Sequence, residues 1–515
     1  MIAILFGTLH GWSVANPWQG QALWWLQLVA MVWLVGRLAY TESAKHAFWT
    51  TLAFATAWLT SNLWWLFTSM HTYGGLAAPL AALAVLIFSA YLASFYALAA
   101  VAFVKLKQST FKTNAAVLDA LLFAALWLLA ELVRATLLTG FPWGAVGYAH
   151  IDSPLISAAP WVGVYGLSAL AVWIAALFVF TRSCALKILI VLVLGIKAYS
   201  APAPQATADK ASQGISAPSL KVRLLQGNIP QNEKFDTQTG VALALAWYQE
   251  RLLSAATDGV DLVVTPETAI PRLPQQLPIG YWPKIADVFN KQNKTAALIG
   301  IPLGSEREGY TNSVIGLGGS QAAPYRYDKQ HLVPFGEFIP PLFRWFTDLL
   351  NIPLGDFGRG GLAQPPFVHA GERLAVNICY EDLFGEELAK RFANPATAPT
   401  VFVNVSNMGW FGDGMAIDAH LNISRMRAIE FDRPMIRATN TGATAAIDHN
   451  GVVMQSLARS TRGMLNAELS GAMLNRTSLT PYASWASKYG LQPLWAVACA
   501  WVIFALFIRR RTRSL

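Results

Sequence analysis

The stretch LAVNICYEDLFGE, residues 374–386, shows the strand–turn–helix pattern that is typical of the more polar part of this chain. Its apolar run predicts a buried β-strand that Cys379 closes, followed by a turn and a helix at 385–392. A cysteine at the end of a buried strand is usually an inert small hydrophobe. It becomes a candidate nucleophile only if other reactive side chains are brought to the same strand ends.

The same alternation of strands and helices extends to both sides of this stretch. Helices are predicted at 240–256 and 418–432, and a hairpin at 435–456 that turns at 449–451. Further strands are predicted at KVRLLQGNI, DLVVTPETAI, TAALIGIPL, NSVIGLG and TVFVNVSN. We therefore expect an α/β layered domain over 220–475, although the pattern does not give the order of its strands.

The rest of the chain has the composition of a membrane protein. Only 13% of the 515 residues are charged and 54% are hydrophobic, whereas an ordinary soluble domain is about 25% charged. We expect an N-terminal transmembrane domain over 1–200, a linker rich in Ala, Pro and Ser at 201–219, and a return segment with a last span over 476–515. About eight spans are predicted, namely 1–14, 20–40, 46–68, 76–104, 116–138, 155–180, 185–199 and 491–508.

The net charge of +9 is distributed as a topology signal, so no nucleic-acid partner is expected. The last predicted span is followed by four arginines, Arg509, Arg510, Arg511 and Arg513, which predict a cytoplasmic C-terminus. One span separates this tail from the α/β domain, which is therefore expected on the opposite face. In a bacterial inner membrane that face is the periplasm.

Two polar residues join Cys379 as candidates for chemistry because they also follow predicted strands. Glu267 lies in VVTPETAIP, and Lys329 lies in YRYDKQHLVPFGEF. Cys379 is the single cysteine of 220–475, which excludes a disulfide scaffold within that domain. Since no His/Cys cluster has the spacing of a zinc site, we expect neither a metal nor another cofactor.

These segments resemble the catalytic segments of the nitrilase superfamily. The motifs that carry the resemblance are QGNIPQNEKF, TPETAIP, YDKQHLVPFGEFIP, ICYEDLFGE, NVSNMGWFG and ATNTGATAAID. With the predicted spans and the segment TGFPWGAVGY, the whole chain resembles the apolipoprotein N-acyltransferase family. The resemblance implies an α-β-β-α sandwich and transfer of an acyl chain from a phospholipid, expected to be phosphatidylethanolamine, to the amine of a diacylglyceryl-cysteine apolipoprotein.

The resemblance also implies roles for the three candidates. A free thiol has a pKa of about 8.5, so Cys379 needs activation. Glu267 is expected to take the thiol proton, and Lys329 is expected to favour the thiolate and to stabilise the oxyanion. The dipole of a helix starting after Cys379 would act in the same direction. The backbone N–H of Tyr380 is a candidate second oxyanion donor.

Three further residues match the family's pattern, and a fourth position departs from it. Glu337 could hold Lys329 in an ion pair, and Glu381 could orient the substrate or the catalytic residues; structural ion pairs are the alternative for both. Trp410 could contact the acyl chain or simply be buried. Phe235, a second expected substrate contact, stands where the family usually carries Trp.

Several alternatives remain open at this point. The apolar segment 338–354 could be a mobile arm at the bilayer or a helix packed in the core. The same catalytic residues would also suit a membrane-anchored nitrilase-type amidase that hydrolyses a lipid-like or small amide. A transporter would need more intramembrane ionisable residues than Glu131 and Arg134.

Overall fold

The computed structural model describes residues 1–107, 113–181, 219–290, 294–321, 324–339, 357–474 and 476–513, with a few more between 183 and 195. Three predicted segments therefore lie mostly outside the described residues. They are the linker at 201–219, the short span at 185–199 and the apolar segment at 338–354.

The N-terminal part is helical. Its α-helices are α1 (Ile2–Trp12), α2 (Trp24–Ala39), α3 (Ala44–Leu63), α4 (Trp65–Thr68), α5 (Ala78–Leu106), α6 (Thr113–Thr136) and α7 (Ala159–Phe180). Within the described residues, four helical segments are long and apolar enough to cross a membrane, namely Ala78–Leu106, Ala116–Thr139, Pro154–Phe180 and Gln492–Arg509. Helices α1 and α2 are apolar but shorter, and the Thr, Ser and Asn side chains of α3 lower its hydropathy.

The C-terminal part contains two sheets and the remaining helices. The strands are β1 (Leu220–Gln226), β2 (Leu262–Val264), β3 (Ala296–Ser305), β4 (Gly309–Leu317), β5 (Tyr325–Asp328), β6 (Phe367–His369), β7 (Glu372–Ile378), β8 (Val401–Ser406), β9 (Met435–Thr439), β10 (Ala445–Ile447), β11 (Val453–Ser456) and β12 (Gly463–Leu469). The helices are α8 (Gly240–Ala255), α9 (Tyr281–Asn290), α10 (Gly385–Leu388), α11 (Met415–Phe431), α12 (Gly471–Leu474), α13 (Pro481–Tyr489) and α14 (Gln492–Arg513).

Each sheet has six strands, in the orders β12-β1-β2-β3-β4-β5 and β11-β10-β9-β8-β7-β6. The centre of each sheet is parallel, with β1, β2 and β3 in the first and β7, β8 and β9 in the second. Parallel neighbours bring their carboxyl ends to one edge, which is where the candidate side chains lie. The region 435–456 forms three strands rather than one hairpin, and the predicted turn joins β10 to β11.

The two sheets pack face to face, and helices cover their outer faces. Inward side chains of both sheets share one core, to which Leu224 and Val264 contribute from the first sheet and Val376 and Val403 from the second. Helices α8 and α9 cover the outer face of the first sheet. Helices α11 and α13 cover the outer face of the second. The result is the α-β-β-α sandwich that the family resemblance implied.

The sandwich is joined to the helical part through the layer that covers the second sheet. Helices α11 and α13 both contact α7. At this junction the Val164 N–H donates to Glu430 Oε1 at 2.6 Å, and the Asn422 side-chain amide donates to the Val14 carbonyl at 3.1 Å. Gly163 interrupts α7 with a φ of 66° and packs against the ring of Tyr482.

Candidate active site

Cys379 follows directly after β7, at the edge where β7 and β8 end side by side. Its φ of 52° is in the left-handed region, an unfavourable conformation for a residue with a side chain. His420 Nε2 lies 3.1 Å from the Cys379 carbonyl oxygen, and an Arg437 N–H donates to His420 Nδ1 at 3.1 Å. Since Nδ1 accepts, Nε2 carries the proton and donates, which fixes the backbone of the cysteine.

Glu267 lies in the loop after β2, three residues beyond the strand end. Its Oε1 accepts from the Asn312 side-chain amide at 2.7 Å and from Lys329 Nζ at 3.2 Å. Its Oε2 accepts from the backbone N–H of Asn407, which follows β8, at 2.9 Å. The carboxylate is thus bound by groups from both sheets, and its electrostatic effect reaches the Cys379 thiol.

Lys329 follows β5 and is 1% exposed. Its Nζ lies 3.2 Å from Glu267 Oε1 and 2.9 Å from Glu337 Oε2. Glu337 also accepts from the Val333 N–H at 2.9 Å, which holds the loop after β5 around the ammonium. Burial lowers the pKa of Lys329, but the two carboxylates outweigh burial and raise it above its ordinary value, so the side chain is a permanent cation.

The Cys379 thiol is neutral at rest. Burial, reinforced by the Glu267 carboxylate and opposed by Lys329, raises the pKa of this thiol to about 12. Lys329 acts in the expected direction, since it lowers this pKa, but burial and the nearby carboxylates outweigh its effect. Cys379 begins a short 3-10 turn, and the α-helix behind it, α10, has only four residues, so little dipole acts on the sulfur.

Glu381 joins two catalytic segments instead of facing the sulfur. Its Oε2 accepts from the Ile378 N–H at 2.6 Å, directly before the cysteine. Its Oε1 accepts from the N–H groups of Gln330 at 2.7 Å and His331 at 3.2 Å, directly after Lys329. The Tyr327 hydroxyl donates to the same carboxylate at 2.8 Å. One buried carboxylate thereby sets the position of Cys379 relative to Lys329.

Tyr380 connects the cysteine to the helical part of the chain. Its hydroxyl donates to the Gly140 carbonyl, just beyond α6, at 3.2 Å. Its ring lies 6.2 Å from the Phe141 ring and 5.2 Å from the Phe384 ring, centroid to centroid. The nucleophile is therefore one residue away from a contact with the apolar helices.

The two expected substrate contacts lie at the surface. Trp410 is 40% exposed, and its ring packs edge-on against Tyr73, which follows α4. The neighbouring Phe411 ring contacts Trp65 in the same way. Trp410 thus lies where the sandwich meets the helical part, and it is not a core residue. Phe235 is 57% exposed, next to the buried Lys234.

Several residues that complete the site were not predicted from the sequence. Lys234 and Asn407 lie inside the motifs QGNIPQNEKF and NVSNMGWFG, so a signal for them was present. Asn312, which donates to both Glu267 and Glu337, stands in an unremarkable strand. His420 lies on a helix with no motif around it. In the described part of the chain, no group of three or more His, Cys, Asp or Glu side chains could hold a metal ion.

Comparison with known proteins divides the chain at the same place as its fold. Residues 10–177 match the family described as the apolipoprotein N-acyltransferase N-terminal domain, and residues 221–478 match the carbon-nitrogen hydrolase family. The match of the N-terminal part favours an acyltransferase over an anchored amidase.

Full-length relatives have similar chains throughout. An apolipoprotein N-acyltransferase of Verminephrobacter eiseniae is 53% identical over 95% of this chain and 92% of its own. The corresponding proteins of Ralstonia nicotianae and Bordetella bronchiseptica are 42% and 39% identical, each over 99% of this chain and over 93% and 96% of their own.

Proposed function

Because this chain belongs to the apolipoprotein N-acyltransferase family, we propose that it moves an acyl chain from a phospholipid to a lipoprotein through a thioester on Cys379. The enzyme N-acylates lipoproteins in a membrane. The donor that we propose is phosphatidylethanolamine, and the proposed acceptor group is the α-amine of a diacylglyceryl-cysteine. The reaction then has two half-reactions with one covalent intermediate.

The observation that carries the proposal is the position of the nucleophile. Cys379 lies in an unfavourable left-handed conformation beside a carboxylate and an ammonium, and its neighbour Tyr380 contacts the end of an apolar helix. A soluble amidase has no need of that contact. For an enzyme whose acyl donor lies in the bilayer, the contact keeps the sulfur close to the lipid surface.

In the first half-reaction, Glu267 takes the proton of the neutral thiol while the sulfur attacks the ester carbonyl carbon. The carbonyl oxygen becomes an oxyanion, which the Lys329 ammonium and the Tyr380 N–H stabilise. When the oxyanion collapses, the bond to the glycerol oxygen breaks and Glu267 returns its proton to that oxygen. A lysophospholipid leaves, and the acyl chain remains on Cys379 as a thioester.

In the second half-reaction, the acceptor amine attacks the thioester carbonyl and Glu267 accepts a proton from the amine. Collapse of the second oxyanion breaks the carbon–sulfur bond, and the sulfur recovers its proton. The products are an amide on the lipoprotein and the original thiol. Glu337 and Glu381 act by holding Lys329 and the cysteine segment, while Trp410 and Phe235 are the proposed contacts of the acyl chain.

The proposed arrangement in the membrane has eight spans. We place the catalytic domain, 220–475, in the periplasm of a bacterial inner membrane, with the arginine-rich end of 476–515 in the cytoplasm. Residues 1–200 hold seven of the spans, and 201–219 link them to the catalytic domain. Single cysteines introduced into a Cys184→Ser, Cys499→Ser background test this arrangement. A cysteine at 250 should react with an impermeant maleimide in intact spheroplasts and one at 512 should not; the reverse pattern contradicts it.

The chemistry is tested by mass spectrometry of the purified protein incubated with phosphatidylethanolamine vesicles and no acceptor. An acyl adduct should appear on Cys379 in the wild type and in Cys184→Ser, and it should be absent from Cys379→Ala. Vesicles of phosphatidylglycerol test the headgroup, since equal adduct rates from the two lipids reject the preference for phosphatidylethanolamine. Lipoprotein N-acylation that persists in Cys379→Ala rejects the thioester route.

A further inference from the structure

Lys234 is a buried lysine beside the catalytic base, and the roles proposed above do not use it. It lies in the turn region after β1 and is 3% exposed. Its Nζ donates to the backbone carbonyl of Glu267 at 3.2 Å, which is its one hydrogen-bond acceptor among the described residues. A buried ammonium is costly unless an opposite charge lies near, and the opposite charge here is the Glu267 carboxylate.

The charges of the site balance only when Lys234 is included. Lys329 binds two carboxylates, Glu267 and Glu337, and these three groups together carry one negative charge. The neutral Cys379 adds none. With the Lys234 ammonium the site is neutral, and one uncompensated charge in a buried site is strongly destabilising.

This balance matters during the reaction. When the proton passes from the sulfur to Glu267, the negative charge moves first toward the sulfur and then to the oxyanion. Without Lys234, the Lys329 ammonium alone would face two negative charges, that of the oxyanion and that of the Glu337 carboxylate. Lys234 keeps the sum at zero at each step, since the proton moves only within the site.

We propose that Lys234 is a positioning residue for acyl transfer, acting through Glu267: it holds the backbone of the base and neutralises the site as the oxyanion forms. This inference rests on the proposed function. The Lys234 cation acts on the reacting groups and does not bind the lipid headgroup, because its side chain points at Glu267 and is closed off from solvent.

The turn that contains Lys234 is held by hydrogen bonds of other residues. Substitutions of Lys234 should therefore leave the turn in place. The Ile229 N–H and carbonyl both bond to the side chain of Asn440, at 3.1 and 3.0 Å. Gln231 Oε1 accepts from the Asn407 side-chain amide at 2.7 Å. These bonds do not involve the lysine.

The test measures the rate of Cys379 acylation by phosphatidylethanolamine for three variants. Lys234→Met removes the charge and the hydrogen bond, Lys234→Gln keeps a donor for the Glu267 carbonyl, and Lys234→Arg keeps the charge. Lys284→Met, a change at an exposed lysine of α9, is the matched control. We expect the maximal rate to fall about a hundredfold in the Met and Gln variants and to be at least partly retained in the Arg variant, with the half-saturating lipid concentration unchanged.

The pH profile supplies a readout that a structural role would not move. Burial, opposed by the Glu267 carboxylate, lowers the pKa of Lys234 to about 8, so its cation is present below that pH and is lost above it. The ratio of the Lys234→Arg rate to the wild-type rate should therefore rise as the pH passes through 8, because the guanidinium stays charged.

The outcomes separate this inference from the proposal on which it rests. If the wild type forms no adduct on Cys379, the proposed function fails. If the wild type forms the adduct and Lys234→Gln matches its rate, the role of Lys234 alone is refuted. A change only in the half-saturating lipid concentration also refutes it, because that result assigns Lys234 to headgroup binding. A constant rate ratio between pH 7 and 9 refutes it as well.

Discussion

Replacing Glu381 by glutamine tests whether one carboxylate fixes the geometry of the site. The carboxylate accepts from the Ile378 N–H through Oε2 and from the N–H groups of Gln330 and His331 through Oε1. Glutamine keeps the shape but turns one acceptor oxygen into an N–H₂ donor. If the amide nitrogen takes the Oε1 position, two backbone donors lose their partner. If the amide nitrogen takes the Oε2 position, only the Ile378 N–H loses its acceptor, so this orientation destabilises the fold less.

The magnitude follows from that orientation. An unpaired buried donor costs about 1–3 kcal/mol, and the loss of the negative charge weakens the remaining bonds. We expect Glu381→Gln to lower the free energy of unfolding by about 3 kcal/mol. Because the unpaired N–H directly precedes Cys379, the sulfur should also shift relative to Lys329. A displacement of about 1 Å costs about a hundredfold in rate.

The assay measures both effects on the same preparation. Thermal unfolding of the detergent-solubilised protein gives the loss of stability, and the rate of the Cys379 acyl adduct gives the loss of catalysis. Glu250→Gln makes the same chemical change at an exposed position of α8 and should alter neither quantity. An unchanged melting temperature together with a wild-type adduct rate in Glu381→Gln would show that this carboxylate does not fix the geometry of the site.

Two other predictions concern the thiol and the junction. Because burial raises the pKa of Cys379 to about 12, only about 10⁻⁵ of the thiol is thiolate at pH 7. Iodoacetamide should therefore modify the exposed Cys184 first, and the rate of Cys379 alkylation, followed by mass spectrometry, should still rise above pH 10. A rate of Cys379 alkylation that levels off below pH 9 contradicts this. Gly163→Ala places a Cβ against the Tyr482 ring at a positive φ and should lower the melting temperature, whereas Gly36→Ala, which meets open space, should not; equal melting temperatures would exclude strain at the junction.

The sequence was sufficient for features that depend on local pattern. The apolar run before Cys379 predicts β7, and the strand-and-helix alternation predicts an α/β domain. The strand predicted at DLVVTPETAI is shorter than expected, since β2 ends at Val264. Pro266 has no N–H for the ladder, and its carbonyl lies against Gly300 of β3, which leaves Glu267 in a loop.

The remaining features depend on burial, which no local pattern gives. Lys221 and Lys234 lie 13 positions apart on either side of the end of β1, yet Lys221 is exposed and Lys234 is enclosed by the active site. The direction of the Cys379 pKa shift likewise follows from the balance between burial and three nearby charges. Residue types alone indicate the Lys329 cation, but they do not show the burial and the carboxylates that oppose its effect on the thiol.

A neutral thiol in a charge-balanced site explains why the nucleophile stays unreactive until the lipid substrate binds. Forming a free thiolate at pH 7 from a thiol of pKa about 12 requires about 7 kcal/mol. If the proton instead passes to Glu267 while the carbon–sulfur bond forms, the thiolate never accumulates. The Lys329 and Lys234 cations then act mainly on the oxyanion, which exists only when an ester carbonyl has entered the site. Such a nucleophile has little reactivity toward other electrophiles, yet it remains one residue from the membrane helices through Tyr380.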